Sequence, residues 1–95
     1  MTESNKMLWE GVIENNFDKV RIALNLRAEV NAKRNDGDTP LHWAAWNNYL
    51  EVAQLLISSG AEVDVENNAG NTPLRWAAFN GHQEMVELLQ SYILT

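Results

Sequence analysis

The sequence predicts an all-α fold, a solenoid of helix–turn–helix units joined by turns and extended loops. A shift of 33 residues superimposes residues 35–61 on the residues that follow them. A fixed period of this length is typical of a repeat array. Within each copy, apolar residues also recur at helical spacing. The residues of the first copy that recur in the second include Gly37, Thr39, Pro40, Leu41, Trp43, Ala44, Ala45, Asn47, Glu51, Leu55 and Leu56.

The same shift applied backwards gives a weaker third copy. It places Leu41 on Leu8 and Val63 on Val30. We therefore interpret the chain as one domain with repeats over residues 1–33, 34–66 and 67–95, the first degraded and the last shortened. One domain agrees with a length of 95 residues. Three repeats are about the minimum for a stable array.

Helix boundaries are predicted from residues that favour helix ends. Thr39 is a good N-cap and Pro40 suits the first helical position, so a helix is expected over residues 41–47. Asn48 should leave that helix in the left-handed conformation. A second helix over residues 50–59 should end at Gly60, followed by an extended return over residues 61–65.

The terminal repeats are predicted from the same pattern. Helices are expected over residues 6–15, 19–26 and 83–94, with Ser4 or Asn5 as the first N-cap. The buried side chains of the first repeat should be Met7, Leu8, Val12, Val20, Ile22, Ala23 and Leu24, with Trp9 as a further candidate. The apolar tail over residues 91–95 has three interpretations: its side chains fold over the end of the stack, it forms a self-association surface, or further repeats follow.

Two segments carry a family resemblance. GDTPLHWAAWNNYLEVAQLLISSGAEVD and GNTPLRWAAFNGHQEMVELL resemble ankyrin repeats, whose unit opens its first helix with the motif TPLHxAA. The resemblance extends from about residue 6 to the C-terminus. Arg75 departs from it by replacing the motif histidine, Asn48 by replacing the hairpin glycine, and Arg27 by replacing the helix-closing glycine.

Composition restricts the partners. The 13 acidic and 7 basic residues give a net charge of −6, which disfavours nucleic acid and anionic membranes. The charge is compatible with a basic protein partner. The chain has no cysteine. It also has no apolar run long enough for a signal peptide or membrane span, so we expect a cytoplasmic protein. A secreted effector with a non-classical export signal is the alternative.

We expect no enzyme activity, no cofactor and no metal site. His42 and His82 have no further ligand at metal-binding spacing, and the resemblance implies a structural role for His42. Glu51, Glu84 and Glu87 fall on exposed helix faces. No nucleophile motif or phosphate-binding loop is present.

The resemblance implies that the turns and first helices line a concave binding surface. The turn positions carried over to this chain are Asn35, Asp36, Asp38, Asn68 and Asn71, all expected to be exposed. The helix positions carried over are Ile13, Trp46, Asn47, Phe79 and Asn80. Among them Ile13, Trp46 and Phe79 should form an apolar row, and exposed aromatic residues are enriched at binding hot spots.

Alternatives remain at these positions. Trp46 and Phe79 could simply pack against each other and stiffen the array, while Trp43 and Trp76 should be core residues between repeats.

The leading hypothesis is a non-catalytic, monomeric module that binds a protein partner through its concave face. One alternative is a self-associating array joined through the C-terminal helix around residues 92–94. Another is an immunity-type inhibitor whose acidic face blocks a basic target.

Overall fold

The fold consists of helices connected by turns. The structure is a computed structural model that describes residues 1–93. The helices are α1 (Glu3–Ile13), α2 (Phe17–Asn25), α3 (Pro40–Asn47), α4 (Leu50–Ser58), α5 (Pro73–Phe79) and α6 (Gln83–Ile93). No residue in the described part of the chain lies in a β-strand. The predicted all-α repeat fold is therefore confirmed.

The helices form two layers. Each repeat pairs its own two helices, α1 with α2, α3 with α4 and α5 with α6. The first helices also pack in a row, with α3 between α1 and α5, and α2 packs against α4. The core fills the space between the layers, and its largest apolar side chains are Leu8, Val12, Val20, Leu41, Val52, Leu56, Met85 and Leu89. A stack of this kind buries apolar surface that a single repeat would expose.

The predicted helix boundaries of the second repeat agree with the structure to within one residue. The side chain of Thr39 accepts a hydrogen bond from the backbone N–H of His42, and Pro40 begins the helix. Asn48 has φ 61° and Gly60 has φ 101°, so both adopt the left-handed conformation that ends a helix. Arg27, which replaces glycine in the first repeat, adopts the same conformation with φ 70°.

The prediction for the start of the first repeat was wrong. Helix α1 begins at Glu3, and its N-cap is Thr2 instead of Ser4 or Asn5. Asn5 is buried because its side-chain oxygen accepts a hydrogen bond from the backbone N–H of Glu29 at 2.7 Å. Helix α2 begins at Phe17, earlier than residue 19, because Asn16 caps it. A tertiary contact and a side-chain cap therefore set these boundaries.

Two further expectations need correction. Ile22 was expected to be buried but is 40% exposed. Val20 and Ala23 occupy the core side of α2. Because Ile22 lies two positions after Val20, it points about 200° away around the helix. The return after α4 is not extended throughout, since Val63 and Asp64 form a turn.

The last helix continues into the apolar tail. Helix α6 includes Tyr92, which is 51% exposed, and ends at Ile93, which is half-buried. The remaining residues of the predicted tail, Leu94 and Thr95, lie outside the described residues.

Candidate functional site

Three aromatic side chains meet on the surface formed by α1, α3, α5 and the turns before α3 and α5, here called the first-helix face. Trp46 of α3 lies between two rings of α5. The centroids of Trp46 and Trp76 are 4.9 Å apart, with the ring planes at 70°. Trp46 stacks on Phe79 at 6.2 Å and 25°. Contacts between offset rings at these distances are favourable.

These rings remain open to a partner. Phe79 is 78% exposed and Trp46 is 38% exposed. Ile13, the third member of the predicted apolar row, is 43% exposed at the matching position of α1. The stacking expected from the packing interpretation is therefore present, and each ring still offers surface. Whether these residues bind a partner stays a prediction.

Three tryptophans line a cavity on the same face. Trp43, Trp46 and Trp76 surround a space of about 230 Å³ together with Asp38. Trp43 packs against the core cluster, as predicted, and its indole nitrogen is buried without a partner within residues 1–93. Sequence reasoning missed the cavity because it assigned Trp43 and Trp76 to the core alone.

Asp38 does not match the expectation of an exposed turn residue, because it is only 5% exposed. Its Oδ1 accepts a hydrogen bond from Nδ2 of Asn67 at 2.8 Å. Asn67 belongs to the following repeat, and its side-chain amide contacts the carboxylate of Asp38. Within the described part of the chain, no basic side chain forms an ion pair with Asp38. The residue faces the cavity instead of forming part of an open rim.

The other turn positions join neighbouring repeats. Asn35, Asp36 and Asn68 are exposed, as predicted. The backbone N–H of Asn68 donates to the carbonyl of Asp36 at 2.9 Å, and its side-chain amide donates to the carbonyl of Asn35 at 3.0 Å. Asn71 is half-buried, with its carbonyl bonded to His42. The turn before α5 is thus held against the turn before α3.

Amide and imidazole groups hold the end of α3. The side chain of Asn47 donates to the carbonyl of Trp43 at 2.9 Å. The carbonyl of Trp46 accepts from the side-chain amide of Asn80 at 2.9 Å and bonds Nε2 of His82 at 2.9 Å. The Trp46 carbonyl is among those that lack an intrahelical partner at a helix end, and the two side chains from the next repeat satisfy it. The predicted amides are therefore already bonded inside the domain.

A cation lies beside the aromatic cavity, and sequence reasoning did not predict it. The guanidinium carbon of Arg34 lies 5.2 Å from the ring centroid of Trp9 and 5.7 Å from that of Trp43. Both distances are within the range of cation–π attraction. The repeat alignment marks this position, because the first repeat boundary has the charged Arg34 where the next has the uncharged Asn67.

The described residues include no metal-binding cluster and no membrane-spanning helix. Within residues 1–93, no group of three or more His, Cys, Asp or Glu side chains could hold a metal ion. None of the helices in this range is long and apolar enough to cross a membrane. Glu51, Glu84 and Glu87 are exposed, as predicted.

Comparison with known proteins decides the family. The sequence model described as ankyrin repeats (3 copies) matches residues 8–93. The chain belongs to the ankyrin-repeat family. The domain is also similar to ankyrin repeat domain-containing protein 49 of Drosophila melanogaster, with 54% identity over 52 residues. The match covers 54% of this chain and 24% of that protein. Ankyrin repeats are generally protein–protein interaction modules without catalytic activity.

Proposed function

We propose that this ankyrin domain binds a protein partner through its first-helix face, the concave face expected for the family, centred on Trp46 and Phe79. The observation that carries the proposal is the stacked pair of aromatic rings. Phe79 is 78% exposed and stacks on the ring of Trp46. A rigid, exposed aromatic pair loses little conformational entropy when a partner covers it. Aromatic residues of this kind dominate interface hot spots.

The partner should offer an apolar patch next to basic side chains. The chain has a net charge of −6, and Asp36 is exposed in the turn before α3, which belongs to the first-helix face. Charge of this sign favours encounter with a basic surface. It disfavours nucleic acid and anionic membranes. We propose a monomer that acts in the cytoplasm; a chain without cysteine needs no oxidising compartment to form disulfides.

The test is affinity capture from a lysate with the wild type and the Trp46→Ala/Phe79→Ala variant. A matched control is Phe17→Ala/Leu26→Ala, which removes exposed apolar side chains from the second-helix layer. Circular dichroism should verify that all three proteins are folded. A protein retained by the wild type and the control but lost by the aromatic variant supports the proposal. Equal retention by all three would contradict it.

Self-association is the second candidate, favoured by apolar surface on the opposite side. Phe17, Leu55 and Tyr92 line one shared opening there, and Tyr92 is 51% exposed. Light scattering over a range of concentrations separates the two candidates, because only self-association raises the average mass with concentration. An inhibitor of a basic target is a narrower form of the first proposal. Strong weakening of binding by salt would support it.

A further inference from the structure

The cavity lined by Trp43, Trp46, Trp76 and Asp38 combines aromatic walls with a carboxylate. We propose that it binds an arginine side chain of the protein partner. The inference rests on the proposed function, because the cavity lies on the same first-helix face. It adds the chemical group that the partner must present.

The walls of the cavity are suited to a cation. Indole rings attract cations to their faces more strongly than other aromatic side chains do. Trp46 and Trp76 meet at 70°, so they form two walls of different orientation. The volume of about 230 Å³ exceeds what a guanidinium and the end of its aliphatic stem need. A planar guanidinium can therefore lie flat against one indole while the N–H groups along its edge remain free to donate hydrogen bonds.

The carboxylate supplies the charge. Asp38 is 5% exposed, and the hydrogen bond from Asn67 occupies its Oδ1. No Lys, Arg or His within residues 1–93 forms an ion pair with it. A carboxylate with little solvent contact gains strongly from a charged donor. A guanidinium carries several N–H groups in a fixed plane, so it can stack on a ring and still donate to a carboxylate.

The neighbouring gap between repeats provides an internal precedent. There the guanidinium of Arg34 lies between Trp9 and Trp43, at 5.2 and 5.7 Å from their ring centroids. The repeat period places Asn67 at the corresponding position of the next gap. Asn67 is shorter, is uncharged and already donates to Asp38. By the same period Trp9 and Trp43 correspond to His42 and Trp76, whose rings lie 5.7 Å apart. The second gap therefore keeps one tryptophan, to which Trp46 adds a second indole and Asp38 a carboxylate. Uncharged Asn67 takes the place of Arg34, which lies in the first gap against Trp43.

Arginine fits this site better than lysine. An ammonium group is compact and strongly hydrated, whereas a guanidinium is weakly hydrated and stacks on aromatic rings. The lining is mostly indole surface, so a cation must lose bound water to enter. This dehydration costs less free energy for a guanidinium than for an ammonium group. The net charge of −6 also favours the approach of a basic segment.

The first test uses nitrogen-15-labelled protein and a capped glycine–arginine–glycine peptide. Four tryptophans give separate indole N–H signals in nitrogen–proton spectra. We expect saturable shifts at Trp43, Trp46 and Trp76, with Trp9 unchanged. The same peptide with citrulline, which keeps the shape without the charge, should bind about tenfold more weakly. The corresponding lysine peptide should also bind more weakly. Equal binding of the arginine and citrulline peptides, no saturation, or shifts confined to Trp9 would overturn the inference.

The second test removes the carboxylate. Asp38→Asn keeps an oxygen that can accept from Asn67, and it should weaken binding of the arginine peptide about tenfold. Asp64→Asn is the matched control, because it removes one negative charge from an exposed turn. Unchanged affinity in a folded Asp38→Asn protein contradicts the proposal. If this variant does not fold, the comparison of arginine and citrulline peptides on the wild type decides the question alone.

The two proposals fail in different ways. A captured partner that Trp46→Ala/Phe79→Ala loses, but that Asp38→Asn binds with wild-type affinity, would overturn the arginine site and leave the proposed function intact. A partner that no substitution on this face affects would overturn the proposed function. Binding of the arginine peptide to wild-type protein is measured without any partner.

Discussion

The Nε2–H of His42 donates a hydrogen bond to the backbone carbonyl of Asn71, 2.8 Å away in the next repeat. The opposite ring nitrogen, Nδ1, accepts from the backbone N–H of Thr39 at 3.1 Å. Because a backbone N–H can only donate, Nδ1 carries no proton and the proton is on Nε2. One fully buried side chain therefore closes the start of α3 and joins two repeats.

Replacing His42 with alanine should destabilise the domain by about 2–4 kcal/mol, since it leaves a cavity and removes the acceptor of the buried backbone N–H of Thr39. The matched control is Arg75→Ala, at the equivalent but exposed position of the third repeat, with an expected change below about 0.5 kcal/mol. Urea unfolding followed by circular dichroism measures both. Similar midpoints for the two variants would contradict a special role of His42.

The fold was predictable because its signals are local. Thr39 and Pro40 favour the start of a helix, and the period repeats both where α5 begins. Gly60 readily adopts the left-handed conformation that ends α4, although the period does not repeat it. The first repeat was harder, since several of its residues can cap a helix. Thr2 caps α1 because the side chain of Asn5 bonds Glu29 instead. A sequence does not reveal that distant contact.

The candidate site was predictable only in part, for the same reason. The exposure of Trp46 and Phe79 follows from their position on the outer side of short helices. The burial of Asp38 depends on Asn67 from another repeat, and the cavity depends on how three indoles approach one another. These are tertiary relationships, and the residue types alone do not specify them.

Arg34 should contribute to stability through the two indoles that flank its guanidinium. Arg34→Ala should lower the free energy of unfolding by about 1 kcal/mol, the scale of a partly exposed cation–π pair. Lys33→Ala is the control, because Lys33 is exposed and precedes Arg34 in the chain. Chemical denaturation gives both values. Equal effects of the two substitutions would show that removal of positive charge, and not the ring contact, matters.

Arg27 adopts a left-handed conformation that is costly for most residues, with φ 70°. Its side chain is exposed and forms no ion pair within residues 1–93. Arg27→Gly should therefore stabilise the domain by about 0.5–1 kcal/mol. Asn15→Gly is the comparison, since Asn15 has φ 54° and asparagine tolerates this region better. Its effect should be smaller. Thermal unfolding shows which of the two variants gains more stability. A loss of stability in Arg27→Gly would contradict the strain argument.

Gly37 lies where the turns of two repeats touch, and a side chain should separate them. A Cβ at this position would stand 2.5 Å from Oδ1 and 2.8 Å from the backbone nitrogen of Asn68, and φ is +86°. Gly37→Ala should cost about 2–4 kcal/mol, because it adds a steric clash to the strain of a positive φ.

The matched control for this contact is Gly81→Ala. Gly81 has φ +72°, but a Cβ there would meet nothing within 4 Å. Its cost should be only the backbone strain, about 1–2 kcal/mol. Hydrogen exchange locates the difference, since the amide of Asn68, which donates to Asp36, should lose protection in Gly37→Ala alone. Equal stability losses with unchanged protection of Asn68 would mean that the turn contact does not hold the repeats together.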